Sequence, residues 1–339
     1  MKKHIHVVDT TLRDGSHAVS HSFTIEQVKA IASRLDRCGV EMIELSHGDG
    51  LTGSTYNYGF STTDEIEMLK AAASVIKKAK LTVLLLPGIG TLEDLKYVHT
   101  HCGVQAVRVA THVTEADISK QHIEAAKELN MMAVGFLMMA HMASPEKVAQ
   151  QAKLMESYGA DYINIADSAG HMLPEQVSAT IKAVVEAVNI PVGFHAHNNL
   201  SLAMGNSLAA LDAGATYIDG TLCGLGAGAG NTQTEVLAGV LNLKGYTTGL
   251  DFYGLMDIAN NTVMPIMKRP QIVDSNALMI GYAGVYSSFL LHVNRAAERF
   301  DLEPRDILVE LGNRKMVGGQ EDMIIDVAFQ LSSKKVKIK

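Results

Sequence analysis

The sequence predicts an α/β protein: a closed (β/α)8 TIM barrel followed by a small helical C-terminal region. Three observations carry this. A short apolar, β-rich run, a polar turn and a segment of helical spacing recur eight times along the chain. Strict alternation with short connections implies parallel strands, because each return to the same sheet edge needs a helical crossover. Eight such units in roughly 240 residues suit a closed barrel better than an open doubly wound sheet.

In order, the strand candidates are IHVVDTTL from Ile5, VEMIEL from Val40, LTVLLL from Leu81, AVRVAT from Ala106, MAVGFLMM from Met132, YINIAD from Tyr162, VGFHAH from Val192 and TYIDGTL from Thr216. Their near-continuous apolar character agrees with burial on both faces. Between them, TIEQVKAIASRLDRCG, SPEKVAQQAKLMESYGA and LPEQVSATIKAVVEAV carry helix start and stop signals, opening near Thr, Ser or Pro and running out at Gly or Asn. From about Leu250 the pattern changes. Pro265 and Pro270 bracket a break, and the rest reads as helix without strands. The barrel is therefore expected over residues 1–262 and a helical region over 263–339, packed against the barrel mouth or a partner. Ala277 to Phe300 is apolar but interrupted by Ser287, Ser288, His292 and Asn294, which suggests a buried helix rather than a membrane span.

With 339 residues, 47% of them apolar and 19% charged, the chain can bury a full core. A net charge of −7 without a basic stripe argues against nucleic-acid binding, and Lys334, Lys335, Lys337 and Lys339 read as a solvated tail. Three scattered cysteines form no CxxC pair, which fits a reducing cytoplasm. No secretory signal or membrane span is expected.

Barrels place their chemistry at the strand C-termini. There the first strand ends in TTLRDGSH, bringing Arg13, Asp14 and His17 close together, and the seventh carries His195 and His197. Residues two apart on a strand share a face, so both imidazoles can enter one site. Two polar rings turned into a barrel are expensive without a partner. Asp14 completes a set of one carboxylate and two imidazoles for a divalent metal, better suited to Mn²⁺, Fe²⁺, Co²⁺ or Zn²⁺ than to Ca²⁺. Arg13 suits a carboxylate or a developing enolate oxygen, the alternative being a rim ion pair. His17 can act as acid or base near neutral pH. Ser168, with Asp167 at the end of the sixth strand, can bind the substrate carboxylate or cap the next helix. GAGAGN, Gly226 to Asn231, offers either an anion site or tight packing. Glu44 and the following HGDG form a possible substrate wall. His4, His6, His99, His101, His122 and His141 read as ordinary surface or core histidines. No lysine falls within a strand candidate, which disfavours a Schiff-base route.

Taken together, TTLRDGSH, HAHNN and GAGAGN resemble the metal-dependent barrel lyases, a group spanning isopropylmalate synthase, hydroxymethylglutaryl-CoA lyase and the carboxyltransferase domain of pyruvate carboxylase. SHGDGL, NYGF, LLLPGIG, RVATH, GFLMMAHM, GYAGVYSSFL and MVGGQEDMI extend the likeness over nearly the whole chain, toward the 4-hydroxy-2-oxovalerate aldolase family. The resemblance implies Asp14, His195 and His197 as ligands, usually to Mn²⁺. It also implies Arg13 and Ser168 holding the keto acid, with Asp14 and His195 beside it, His17 as the base and Tyr286 shaping the pocket. Ser16, where relatives carry Met, and Asn198, where some carry His, depart from the family pattern. The implied reaction is retro-aldol cleavage of 4-hydroxy-2-oxopentanoate to pyruvate and acetaldehyde, the aldehyde passing through a channel to an acylating acetaldehyde dehydrogenase subunit in a hetero-oligomer. The resemblance thus implies that the helical region over 263–339 docks that partner. Breakdown of aromatic compounds or steroids is the implied setting. Two other readings are Claisen chemistry on an acyl-CoA, weakened by His17 where the synthases usually have Gln, and a noncatalytic subunit, which would show a decayed site.

Overall fold

The computed structural model describes residues 4–338. Eight parallel strands close a barrel in sequential order: β1 His6–Leu12, β2 Met42–Leu45, β3 Lys80–Leu85, β4 Ala106–His112, β5 Met132–Met138, β6 Tyr162–Asp167, β7 Val192–Ala196 and β8 Tyr217–Gly220. β1 pairs with both β2 and β8, which completes the circle. The expected (β/α)8 architecture is therefore what the chain adopts.

Local chemistry explains where elements start and stop. Thr24 opens the helix Ile25–Arg37 with a capping box, its hydroxyl accepting from the Gln27 amide while the Gln27 side chain accepts from the Thr24 amide. Ser144 and Pro145 start Pro145–Ser157 in a related way. Two strand boundaries differ from expectation. β2 starts at Met42 rather than Val40, because the Val40 amide still closes the preceding helix by donating to Leu35 O at 3.2 Å. β7 stops at Ala196, and His197 instead pairs as a single bridge with Asn231. Against the expectation of strands free of lysine, Lys80 opens β3. It is exposed and sits at the strand's N-terminal end, away from the chemical mouth.

Side-chain alternation sorts the barrel interior into layers. Val8, Met42, Ala106, Val134 and Tyr162 fill the floor. Leu84, Ala110, Phe136, Met138 and Ala166 form an apolar layer nearer the mouth. Between them, fully buried Glu44, Arg108 and Asn164, with nearly buried Asp219, project a polar layer.

Beyond the barrel, helices Ser275–Ala283, Leu290–Phe300, Pro304–Asn313 and Met323–Ile338 pack around their own apolar cluster, which includes Ile280, Phe289, Val293, Leu308 and Val327. The stretch expected as one buried helix is two, parted where Gly284 adopts φ +67° and a 3-10 turn Ser287–Phe289 follows. The expected lysine tail is instead helical through residue 338: Lys334 is exposed on the last helix, and Lys339 lies outside the described residues. Among the described residues, no helix is long and apolar enough to cross a membrane.

Candidate metal and catalytic site

At the C-terminal mouth, Asp14 follows β1 and the His195–His197 pair comes from the end of β7. Their ligand atoms lie within 4.8 Å of one another, and all three residues are buried. His195 Nε2 is 3.1 Å and His197 Nε2 3.5 Å from Asp14 Oδ2. Arg13 donates from Nη1 to Asp14 at 3.0 Å and from Nε to Glu44 at 2.7 Å. Its Nη2 is buried without a protein partner, a donor left over for a ligand. The rim ion pair considered for Arg13 thus exists, and it aims the guanidinium rather than consuming it.

Behind this front the network closes on itself. Glu44 also accepts from Arg108 at 3.2 Å, Arg108 donates to Asp219, and Asp219 accepts His195 Nδ1–H at 2.8 Å. Glu44, Arg13, Asp14, His195, Asp219 and Arg108 therefore form a ring of alternating partners. Glu44 is an internal brace rather than a substrate wall. With Nδ1 committed to Asp219, His195 keeps Nε2 free to ligate, the usual carboxylate–histidine support of a metal site.

The charges follow from these contacts. Burial would raise the Asp14 carboxyl, but Arg13 and the two histidines hold it well below its ordinary value. Burial raises Asp219 too, and Arg108 and His195 reverse this to a net lowering. Burial disfavours charge on His195, yet its hydrogen bonds to Asp14 and Asp219 raise its pKa. Burial drives His197 down to about 4, leaving it a neutral nitrogen donor.

The GAGAGN loop builds the site from the other side. Ala227 N donates to Asp14 Oδ1 at 3.2 Å and Ala229 N to Asn199 Oδ1 at 2.8 Å, so these amides serve protein acceptors. Asn231 places its carboxamide 3.1 Å from His195 Nε2 and 3.3 Å from Asp14 Oδ2, while its own Oδ1 is buried and unpartnered. A Cβ on Gly226 would fall 1.8 Å from that oxygen, so glycine is required for the close approach. One carboxylate and two imidazoles whose ligand atoms converge are a donor set that fits a divalent transition-metal ion.

The other expected residues lie around this centre. His17, on the short helix Gly15–Ala18, lines a cavity of about 280 Å³ with His21, Asp49, Tyr58 and Ser288. Ser288 Oγ is 3.5 Å from His17 Nε2. Ser16 donates to Arg13 O at 2.6 Å and faces His21 Nδ1 at 3.0 Å, so it supports the turn. Ser168 caps no helix; its hydroxyl accepts from Met139 N at 3.0 Å. Ser168 O receives Ser287 Oγ at 2.6 Å, and Asn199 Nδ2 donates to the same Ser287 hydroxyl at 2.9 Å, which clamps the C-terminal region to the barrel. Tyr286 reaches over this joint, its hydroxyl 4.0 Å from Met138 Sδ and its ring edge-on to Phe289. His141, read as an ordinary histidine, meets Gly284 O at 3.2 Å and so helps seat the C-terminal helices.

Sequence reasoning passed over Arg108, Asn164, Asp219, Asn199 and Asn231. A signal existed for the first three: each is polar at an inward position of an otherwise apolar strand, where an unpaired group would be costly.

Comparison with known proteins agrees with this architecture. Residues 4–262 match the HMGL-like family and residues 271–333 the DmpG-like communication domain. A 4-hydroxy-2-oxovalerate aldolase of Moorella thermoacetica is 70% identical over 98% of both chains, and one of Carboxydothermus hydrogenoformans is 62% identical over 98% of both. The carboxyl transferase domain from Rhizobium etli pyruvate carboxylase superposes with a TM-score of 0.82 at 19% identity, over 98% of this chain and 61% of that one, which speaks to the fold alone. An HMGL-like barrel with a communication domain, and this degree of identity over nearly the full length, establish that the chain belongs to the 4-hydroxy-2-oxovalerate aldolase family.

Proposed function

We propose that this protein is a carbon–carbon lyase, a divalent-metal aldolase that cleaves 4-hydroxy-2-oxopentanoate to pyruvate and acetaldehyde. The observation that carries the reading is the closed ring: it holds Asp14 and His195 where their ligand atoms meet that of His197, and leaves Arg13 Nη2 as a free buried donor beside them. Asp14, His195 and His197, with the Asn231 carboxamide alongside, would hold the ion, for which we propose Mn²⁺. When bound, a divalent ion supplies Lewis acidity toward the carboxylate and keto oxygen of a 2-oxo acid. Ser168 binds the substrate carboxylate and Tyr286 covers it. His17 takes the proton from the C4 hydroxyl. The C3–C4 bond then breaks, acetaldehyde leaves, and the electron pair delocalises toward the keto oxygen, where Arg13 Nη2 donates. A proton returned to C3 gives pyruvate.

The division into a catalytic barrel over 1–262 and a partner-docking region over 263–339 belongs to the same reading. The communication-domain match and the exposed Tyr282 and Phe329 support docking of an acylating acetaldehyde dehydrogenase, which would receive the aldehyde within a cytoplasmic hetero-oligomer. The decisive assay is pyruvate release from 4-hydroxy-2-oxopentanoate by protein stripped with chelator and resupplied with Mn²⁺. Activity should vanish and return. Metal binding without pyruvate release would overturn the substrate, and acyl-CoA-dependent condensation would then be measured in its place.

A further inference from the structure

We propose that His4, His6 and Glu41 form a second divalent-cation site, selective for a borderline ion such as Zn²⁺, at the opposite end of the barrel from the catalytic centre. His4 and His6 are two apart on extended backbone, so their rings share a face. Ile5 N donates to Thr247 O at 2.9 Å and His6 N to Thr216 O at 2.8 Å, which fixes the backbone carrying both rings. The His6 ring is fixed further by a stack: it lies 4.3 Å from Tyr217, which lies 4.1 Å from fully buried Tyr162 on the barrel floor. Glu41 stands just before β2, its carbonyl accepting from Lys80 N at 2.8 Å.

Donor chemistry then selects the ligand. His4 Nε2 is 2.8 Å from Glu41 Oε1, and His6 Nδ1 is 2.6 Å from Glu41 Oε2. The three ligand atoms lie within 4.8 Å of one another. The catalytic set shows the same direct contact between imidazole and carboxylate, 3.1 Å for His195 and Asp14. Nitrogen–oxygen distances must widen to about 3.3 Å around a tetrahedral ion with bonds near 2.0 Å, within reach of the flexible Glu41 side chain. Two imidazoles and one carboxylate favour Zn²⁺ over Mg²⁺ or Ca²⁺ and leave room for water. Side-chain exposures of 42% for His4, 29% for His6 and 40% for Glu41 give an ion direct entry. Bound there, it would staple the entrances of β1 and β2. Nothing in the proposed aldol chemistry uses these residues, so the inference stands apart from it.

The test uses full-length protein with its catalytic site kept filled by excess Mn²⁺, equilibrated with micromolar Zn²⁺ and analysed for bound zinc and thermal midpoint. Wild type should carry one zinc more than either His4→Ala or Glu41→Gln, and only wild type should gain a midpoint shift on the order of 5 °C. Both variants should keep wild-type pyruvate release, which shows that they fold. Equal zinc content in all three proteins, or a midpoint shift that survives both substitutions, would overturn the site.

Discussion

Replacing Asp219 with Asn removes one charge from the ring and almost no volume. Asp219 Oδ2 is the acceptor for His195 Nδ1 at 2.8 Å, for Asn164 Nδ2 at 3.1 Å and for Arg108, whereas Oδ1 is buried without a partner. An Asn whose carbonyl takes the Oδ2 position keeps all three donors satisfied and the ligand geometry in place, while its amide stands unpaired where Oδ1 now lies. Support of a ligating histidine by a carboxylate is worth about 10- to 100-fold in metal affinity, or about 1.4–2.7 kcal/mol. Stability should fall as well, because Arg108 loses a buried counter-charge. Breaking such a pair costs about 3–5 kcal/mol. Arg108 retains Glu44 at 3.2 Å, which places the loss near the lower end of that range. Mn²⁺ titration followed by the paramagnetic signal of the free ion, beside urea unfolding of the metal-free protein, reads the two effects separately. Asp219→Ala should be worse on both, since it also leaves three donors unserved. Mn²⁺ affinity within twofold of wild type in Asp219→Asn would refute the claim that the ring tunes the ligand.

Two further outcomes follow from the same geometry. His17→Ala should leave Mn²⁺ and pyruvate binding nearly intact and cut turnover by roughly a hundredfold or more, the usual worth of a positioned base; loss of metal would make His17 a ligand instead. Mn²⁺ affinity should rise with pH while His195 still carries its proton and level off once that proton is lost. His195 has a raised pKa, so its protonated form stabilises the metal-free fold fully below the ordinary value of 6.5, and that contribution is lost as pH rises through the folded value, where the ion finds a free nitrogen. Asp14 and Asp219, both depressed, act oppositely: their stabilisation is present above the ordinary carboxylate pKa of about 4 and is lost as pH falls through their folded values. Isothermal titration from pH 6 to 8 and acid unfolding check the two halves.

The barrel was legible because its signals are local. Strand β6 coincides with YINIAD, and the capping residues Thr24 and Ser144 open their helices as their chemistry predicts. The convergence of Asp14, His195 and His197 was legible because a paired polar face on an apolar strand has few other uses. What stayed hidden depends on contacts far apart in the chain. Arg108 meets Asp219 across 111 positions, and Asn231 meets Asp14 across 217. The sequence records that such residues are costly inside a barrel, yet not which partner offsets each one. Tyr286, which the family resemblance named but its own residue pattern did not, is the extreme case, because its position depends on how a second apolar cluster seats against the first.

The six-membered ring also sets an electroneutrality condition. Glu44, Asp14 and Asp219 bring three negative charges, Arg13 and Arg108 two positive ones, and a His195 counted neutral none, so the ring carries one net negative charge. A divalent ion turns that into one net positive charge, which a monoanionic 2-oxo acid cancels. A dicarboxylate of similar length would leave the sealed centre with an excess negative charge in a medium that screens it poorly. The charge of the ring by itself thus favours a monocarboxylic over a dicarboxylic acid, before any steric fit of the aldehyde end is considered.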